Sequence, residues 1–251
     1  MKGVRAFTLV EMVVALGILT MIIVGLLGIF NQISKALRQS NTQTDVMESG
    51  RMLTELWARE IPQASLSGGM VANYNRNFRV DYITNYSQTL PGLPSQTVIN
   101  NLNRFFFLLR TNQTWVGIGY DVRPTTYGYG QLYRYLSVPT NQNAGALDFG
   151  FTSAGWEDKT LNLLVDGVVR MDVRAYDTNG LEYASPMLFT NQHLPAYLEI
   201  DLGVLEADTV KKLQARPPTE VLNYLTNSPL SAGRVHLFRQ HISIISDSAN
   251  Q

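Results

Sequence analysis

The sequence predicts an α+β fold in which a long N-terminal helix packs on a mainly antiparallel β-sheet. Residues 7–62 have helical periodicity, apolar on all sides up to Phe30 and on one side from Val46 onward. Beyond Gly68-Gly69, runs with strand character alternate with turn signals, and connections of hairpin length favour antiparallel pairing. The helix stripe and the sheet face each need an apolar cover, and packing one on the other supplies both.

The N-terminal apolar run is long enough to cross a membrane. Residues 12–30 are 19 uncharged residues, which span about 28 Å as an α-helix. A cleavable signal peptide cut near Ser34–Ala36 is the alternative, but the apolar core of a signal is shorter, about 7–15 residues. We therefore expect a retained transmembrane helix over residues 7–30. Glu11 is its single charged residue, and a carboxylate costs roughly 2.5–3.5 kcal/mol at the centre of such a helix.

Residues 31–62 form the second, amphipathic half of the predicted helix. We expect Glu55 to pair with Arg59 one turn later, and Pro62 to end the helix. Apolar or small residues recur at helical spacing and predict one buried stripe: Val46, Gly50, Leu53 and Trp57.

Residues 63–251 are predicted to form a globular α+β domain. A short helix is expected over Glu206–Ala215, with Thr219 capping a further turn. The Asn-, Gln-, Ser- and Thr-rich stretches 63–103 and 137–145 are predicted to be loops. Strand character appears in six segments: Arg104–Arg110, Trp115–Val122, Gln131–Val138, Leu161–Ala175, Ala196–Leu202 and Val235–Ile245.

Composition and motifs narrow the function class. Lys+Arg and Asp+Glu both number 20, so the chain lacks the net positive charge that is typical of nucleic-acid-binding proteins. The absence of cysteine excludes thiol chemistry. The Gly-x-Gly pairs at 117–119 and 128–130 are interpreted as strand or hairpin glycines. His236 and His241 should point to opposite faces of a strand, and Asp177–Gly180 is interpreted as a turn. We expect no cofactor, no metal and no enzyme activity.

Four tyrosines share one parity in the segment TYGYGQLYRYLS. In an extended strand Tyr127, Tyr129, Tyr133 and Tyr135 would all point to the same side. One interpretation is an ordinary cross-strand aromatic ladder. The other is a face that contacts a partner subunit, because tyrosine suits interfaces. The sequence leaves both open.

The opening stretch RAFTLVEMVVALGIL resembles the class III signal of type IV prepilins and of the pseudopilins of type II secretion. The resemblance implies that residues 1–6 are a leader, which a prepilin peptidase removes by cutting between Ala6 and Phe7. Phe7 would then be N-methylated, and Glu11 would stand at the fifth mature position, where the family has a glutamate. Ala6 departs from the usual glycine before the cut, and Gly28 lies where many major pilins have a proline.

Later segments, among them GRMLTELWAREIPQA and LPAYLEIDLGVL, look like the large J-type pseudopilins and minor pilins. The resemblance implies a pilin-like fold, one span in the cytoplasmic membrane and a C-terminal domain outside the cytoplasm. It also implies assembly with other pilin or pseudopilin subunits, in which Glu11 neutralises the Phe7 amine of a neighbour in the filament core.

The expected function is therefore that of a structural subunit in a type IV pilus-like or type II secretion pseudopilus filament. The size of the domain favours a minor subunit at the tip or in priming. The alternative is a membrane-anchored adhesion or binding protein that uses the same export signal.

Overall fold

A computed structural model of the chain describes residues 8–66, 76–90, 93–111, 114–126, 128–138, 161–184, 186–190, 193–227 and 234–244. The chain divides into two compact units, Met1–Thr44 and Asp45–Gln251. The last turns of the long N-terminal helix thus belong to the same unit as the sheet.

The N-terminal helix α1 runs without a break from Leu9 to Glu60, over 52 residues. Its most apolar 18 residues have a mean hydropathy of 2.8 and none of them is buried. Within the described part of the chain, α1 is the one helix long and apolar enough to span a membrane. A single 3₁₀ turn, Ile61–Gln63, follows it and contains Pro62, so the predicted end of the helix is confirmed.

The described strands form one eight-stranded sheet in the order β6-β1-β2-β3-β4-β5-β7-β8. Neighbouring strands pair antiparallel, and one parallel pair, Leu102 with Met171, adds a contact between β2 and β5. The prediction of a mainly antiparallel sheet is confirmed. The strands are β1 (Arg76–Leu90), β2 (Leu93–Thr111), β3 (Thr114–Pro124), β4 (Gly130–Ser137), β5 (Leu161–Tyr176), β6 (Met187–Thr190), β7 (Tyr197–Leu205) and β8 (Val235–Ser243).

The prediction of loops throughout residues 63–103 is wrong. This stretch contains β1 and the first half of β2, which pair from Phe78 opposite Phe107 to Thr89 opposite Thr97. Asn and Ser have low strand propensity, but the hydrogen bonds and side-chain pairs of a partner strand outweigh it. The edge strand β6 was not predicted either. Residues 139–145 of the second predicted loop lie outside the described part of the chain.

Two short helices follow β7: α2 (Ala207–Gln214) and α3 (Pro218–Asn227). The predicted helix over Glu206–Ala215 is confirmed. Thr219 lies in the first turn of α3 and not at its cap, because Pro218 takes the first helical position, where its missing N–H costs nothing.

In the second unit, the predicted stripe of α1 packs on one face of the sheet, here called the inner face. Leu53 and Trp57 are buried there, and the Trp57 ring meets Phe105 and Tyr120 edge-on, with centroids 6.3 and 5.9 Å apart. Each buried side chain of this size stabilises the fold by about 1.5–3 kcal/mol. The predicted packing of helix on sheet is therefore confirmed for this half of α1.

One predicted contact of α1 is replaced by another. Glu55 forms its ion pair with Arg51, at 2.7 Å from Nε, and not with Arg59. Both arginines lie one turn from Glu55, so the i,i+4 rule does not choose between them. Both side chains of the observed pair are mostly exposed, and such a pair contributes only a few tenths of a kcal/mol.

Candidate functional site

The start of α1 is closed by a capping box between Thr8 and Glu11. The Thr8 backbone N–H donates to Glu11 Oε2 at 2.9 Å, and the Thr8 hydroxyl donates to the same oxygen at 3.0 Å. In return, the Glu11 backbone N–H donates to Thr8 Oγ1 at 3.3 Å. Backbone donors that the first helical turn cannot pair internally are satisfied in this way.

The capping box gives Glu11 a role inside its own chain. A Thr followed three residues later by a Glu is the sequence signature of such a box. The sequence-based interpretation of Glu11 through subunit assembly alone does not include this local role. Both hydrogen bonds to the carboxylate use Oε2, which leaves Oε1 for a further donor. Ala6 and Phe7, the predicted cleavage and methylation positions, lie outside the described residues.

The apolar part of α1 leaves its side chains uncovered. Leu9, Met21 and Phe30 are 80%, 80% and 66% exposed, and the residues between them follow the same pattern on every side of the helix. A continuous apolar surface of this extent marks a contact with membrane or with partner protein. Glu11 lies at one end of that surface, where a single carboxylate is available to a partner.

The four tyrosines do not form one exposed face. Tyr127 lies outside the described residues. Tyr135 is fully buried, because it packs with Phe106 on the outer face of the sheet, opposite α1. Tyr129 is 1% exposed and packs under α2 and α3. Among the three described tyrosines, Tyr133 alone is partly exposed, so the burial of Tyr129 and Tyr135 favours the interpretation as aromatic packing over that of a contact face.

The glycine pairs and the Asp177 motif have the structural roles that the sequence predicts. Gly117 and Gly119 lie within β3. Gly119 pairs with Phe106 of β2 and, as a glycine, has no side chain at that position. The Asp177 carboxylate accepts hydrogen bonds from the backbone N–H groups of Asn179 and Leu181, at 2.8 and 2.7 Å. This is a tight Asx-type turn, as the sequence predicts.

The two histidines of β8 face different carboxylates. His236 Nε2 lies 3.4 Å from Glu206, and His241 Nδ1 lies 4.0 Å from Glu199. Each histidine therefore has its own carboxylate neighbour, on different residues of the chain. In the described ranges, no group of three or more His, Cys, Asp or Glu side chains is placed to hold a metal ion.

The end of α1 is held by a buried ionic cluster. Arg134 donates to both oxygens of Glu60, at 2.8 and 3.2 Å, and Tyr120 donates its hydroxyl to Glu60 Oε2 at 2.5 Å. Burial, and then the Glu60 carboxylate, raise the pKa of the Tyr120 hydroxyl above its ordinary value. Burial alone would lower the pKa of Arg134, but the hydrogen bond and the charge of Glu60 raise it overall, so the guanidinium stays charged.

A second ionic cluster surrounds Asp201 on β7. Arg239 donates to it at 2.7 Å from Nε, while Arg174 and Arg170 approach at 3.2 and 3.5 Å. Burial alone would raise the pKa of Asp201, but the hydrogen bond from Arg239 and the three positive charges hold it below its ordinary value. Because Asp172 and Glu199 share these arginines, the cluster is internally compensated and stabilises the sheet.

Comparisons with known proteins identify no relative of this chain. No family model matches the chain, and neither the curated proteins nor the solved structures give a match. The fold and the helix themselves define the class: an α+β protein with one N-terminal helix long and apolar enough to span a membrane.

Proposed function

We propose that the chain is a minor pilin or pseudopilin. It is a structural subunit that assembles through α1 into a type IV pilus-like or type II secretion pseudopilus filament, at the tip or in priming. The observation that carries this proposal is a helix exposed and apolar on all sides, with one carboxylate at its start. A charge in that position is costly in lipid unless a partner compensates it.

Assembly gives the Glu11 carboxylate its partner. Cutting between Ala6 and Phe7 creates a new amine at Phe7, four residues before Glu11. In a filament core both charges lie in apolar surroundings, where attraction between opposite charges strengthens as the dielectric constant falls. Thr8 already occupies Oε2 of the carboxylate, and Oε1 faces no described donor, so the amine of a neighbouring subunit is the proposed donor to Oε1.

The proposed topology is one span in the cytoplasmic membrane with the sheet domain outside the cytoplasm. The partners are a prepilin peptidase, which removes the leader, and other pilin-like subunits. The compensated ionic clusters of the domain support a structural role over a catalytic one. The alternative, a membrane-anchored adhesion protein, loses its main support, since the burial of Tyr129 and Tyr135 removes the tyrosine face on which it depends.

Intact-mass spectrometry of the protein from its native membrane tests the proposal. We expect a chain that begins at Phe7, lacks residues 1–6 and carries one added methyl group. Ala6→Gly, which restores the residue that the family has before the cut, serves as a matched control and should be processed at least as completely. A chain that begins at Leu37 would instead identify an ordinary signal peptide and contradict the proposal.

A further inference from the structure

Strand β8 is a long and unprotected edge of the sheet. Among the described strands, β6 lies at one edge and β8 at the other. β6 has only four residues, whereas β8 pairs with β7 along all nine of its residues without a register shift. The edge strands of natural sheets are commonly protected because they are short, contain a bulge, or carry proline or lysine. β8 has none of these features, so it can pair with a further strand.

The hydrogen bonds at the two ends of β8 show which of its backbone groups point away from the sheet. The Glu206 N–H donates to the carbonyl of Arg234 at 3.2 Å, and the Ile244 N–H donates to the carbonyl of Ala196 at 2.8 Å. Since such bonds recur at every second residue of an antiparallel pair, the even-numbered residues of β8 bond to β7. The odd-numbered residues direct their N–H and C=O groups to the open side: Val235, Leu237, Arg239, His241 and Ser243.

These outward backbone groups have no hydrogen-bond partner in the described part of the chain. Another extended polypeptide matches them, because it presents N–H and C=O groups in the same alternation and at the same spacing. Addition of a strand to a sheet edge is an established mode of peptide recognition, in which main-chain hydrogen bonds supply the affinity. The open edge of β8 therefore identifies an extended main chain as its partner.

Side chains beside this edge add contacts that give specificity. Leu237 is 71% exposed, and the Arg239 side chain is 75% exposed although Asp201 accepts hydrogen bonds from it. Both residues also line a cleft of about 520 Å³, together with Val98 and Asn100 of β2. A strand that pairs with β8 would lie next to this cleft, so that one of its long side chains can reach it. An apolar residue opposite Leu237 and an acidic residue opposite Arg239 would suit this surface best.

We propose that an extended segment of another pilin-like subunit pairs with β8 by strand addition. This contact rests on the proposed function and deepens it, because it adds a second interface to the one proposed for α1. A second copy of the chain fits less well. β8 carries Arg239 and His241 on its exposed row and contains no acidic residue, so two β8 strands give each other no countercharge. A minor subunit at the tip or in priming also has other subunits as its neighbours.

Proline substitutions separate the added pairing from the fold of the domain. His241→Pro removes an N–H on the open side of β8, whereas Gln240→Pro removes an N–H that bonds to β7. We expect the full-length protein with His241→Pro, in detergent, to melt close to the wild type, and that with Gln240→Pro to melt clearly lower. Leu237→Lys is a second edge variant, because the site is mostly exposed and a lysine protects an edge from pairing.

Photo-crosslinking of the full-length protein in its native membrane tests the contact. Because the chain contains no cysteine, Ser243→Cys provides a single attachment point for a benzophenone at the exposed end of β8. Asn162→Cys, exposed on β5, is the matched control position. We expect the label at position 243 to form an adduct with another pilin-like subunit, mapped by mass spectrometry to one extended segment. His241→Pro and Leu237→Lys should each reduce this adduct several-fold, and position 162 should not form it.

An adduct that persists in both edge variants overturns pairing with β8, and an adduct with a second copy of the chain overturns the choice of partner. Complexes with pilin-like subunits are measured on the same membranes after formaldehyde crosslinking. If these complexes form without an adduct at position 243, strand addition is refuted and the proposed function stands. If no such complexes form, both proposals are contradicted.

Discussion

Arg134 of β4 donates two hydrogen bonds, of 2.8 and 3.2 Å, to the carboxylate of Glu60, the last residue of α1, although the two residues lie 74 positions apart in the chain. Tyr120, which lies directly opposite Arg134 across β3 and β4, donates a third hydrogen bond to the same carboxylate. Because this cluster is buried at the point where the helix stops, it fixes the end of α1 to the inner face of the sheet. The last turns of α1 are therefore part of the domain.

Two truncations should show that the folded domain begins within α1 and includes its last turns. We expect residues 36–251 to be soluble and to unfold cooperatively, because the apolar run is gone and the buried stripe remains. Residues 63–251 should not fold, since they lose Leu53, Trp57 and Ile61 together with Val46, at about 1.5–3 kcal/mol each. That sum is comparable with the whole stability of a domain, 5–15 kcal/mol. Urea unfolding followed by circular dichroism measures both fragments, and equal stability would refute the packing of helix on sheet.

Removing the carboxylate at the end of α1 should be costly. In the 36–251 fragment, Glu60→Ala leaves Arg134 and Tyr120 buried without their partner, and we expect it to lower the free energy of unfolding by about 3–5 kcal/mol. Tyr120→Phe removes one hydrogen bond to a charged group and should cost about 1.5–3 kcal/mol. Glu55→Ala, in the exposed pair with Arg51, is the control and should cost less than about 1 kcal/mol. Comparable losses for Glu60→Ala and Glu55→Ala would contradict the role of the cluster.

A methyl group at position 50 should destabilise the fold even though it favours the helix. Gly50 faces Phe238 of β8, and a Cβ atom at this position would overlap the ring. Gly50→Ala gains up to about 1 kcal/mol of helix propensity, but overpacking costs about 1–3 kcal/mol. We expect a net loss of stability in urea unfolding, and recovery in the double variant with Phe238→Leu. A more stable Gly50→Ala fragment would show that α1 does not press against β8.

The sequence predicts the long elements of this fold better than its contacts between distant residues. Periodicity locates α1 and its buried stripe, because one face of a helix repeats every three to four residues. It misses β1, whose Asn- and Ser-rich sequence becomes a strand only through pairing with β2. The cluster of Glu60, Tyr120 and Arg134 joins residues 60 and 74 positions apart, and no local pattern encodes such a contact. The Thr8–Glu11 box, in contrast, is fully local, and its signature is present in the sequence.

Asp121 should make the domain more stable at mildly acidic pH. Its side chain is 3% exposed, and burial raises its pKa from 3.8 to about 6 despite the nearby Arg104 and Arg123. Because the folded protein binds this proton more tightly than the unfolded chain does, the free energy of unfolding rises as the pH falls from about 6 to about 4. The contribution is about 3 kcal/mol, from a difference of about two pKa units.

Urea unfolding of the 36–251 fragment at about pH 7 and about pH 4 measures this effect. The stability difference between the wild type and Asp121→Asn should shift in favour of the wild type by about 3 kcal/mol on acidification. Asp201→Asn is the control: the arginines hold the pKa of Asp201 below its ordinary value, so its contribution is lost only below about pH 4, and its difference from the wild type should change little between the two pH values. A pH-independent difference for Asp121→Asn would show that the buried carboxyl does not titrate in this range.

The role of Glu11 in the capping box and its proposed role in subunit pairing can be separated by two substitutions. Thr8→Val removes the hydroxyl that donates to the carboxylate and accepts from the Glu11 N–H, but it keeps the charge of Glu11. Glu11→Gln keeps an oxygen that accepts from the Thr8 N–H, but it removes the charge. The box itself is worth only about 0.5–2 kcal/mol, whereas a buried amine left without its countercharge costs several kcal/mol.

We therefore expect Thr8→Val to co-assemble nearly as well as the wild type, and Glu11→Gln and Glu11→Val to lose co-assembly. Leader removal and membrane level should stay normal for these variants, since Glu11→Val only makes the helix more apolar. Glu11→Asp keeps the charge with a shorter reach and should assemble partially. The measurement is the recovery of each variant in crosslinked complexes with other pilin-like subunits, normalised to its membrane level. If Thr8→Val fails to assemble while Glu11→Gln succeeds, the carboxylate serves the helix start of its own chain, and the charge-pairing role is refuted.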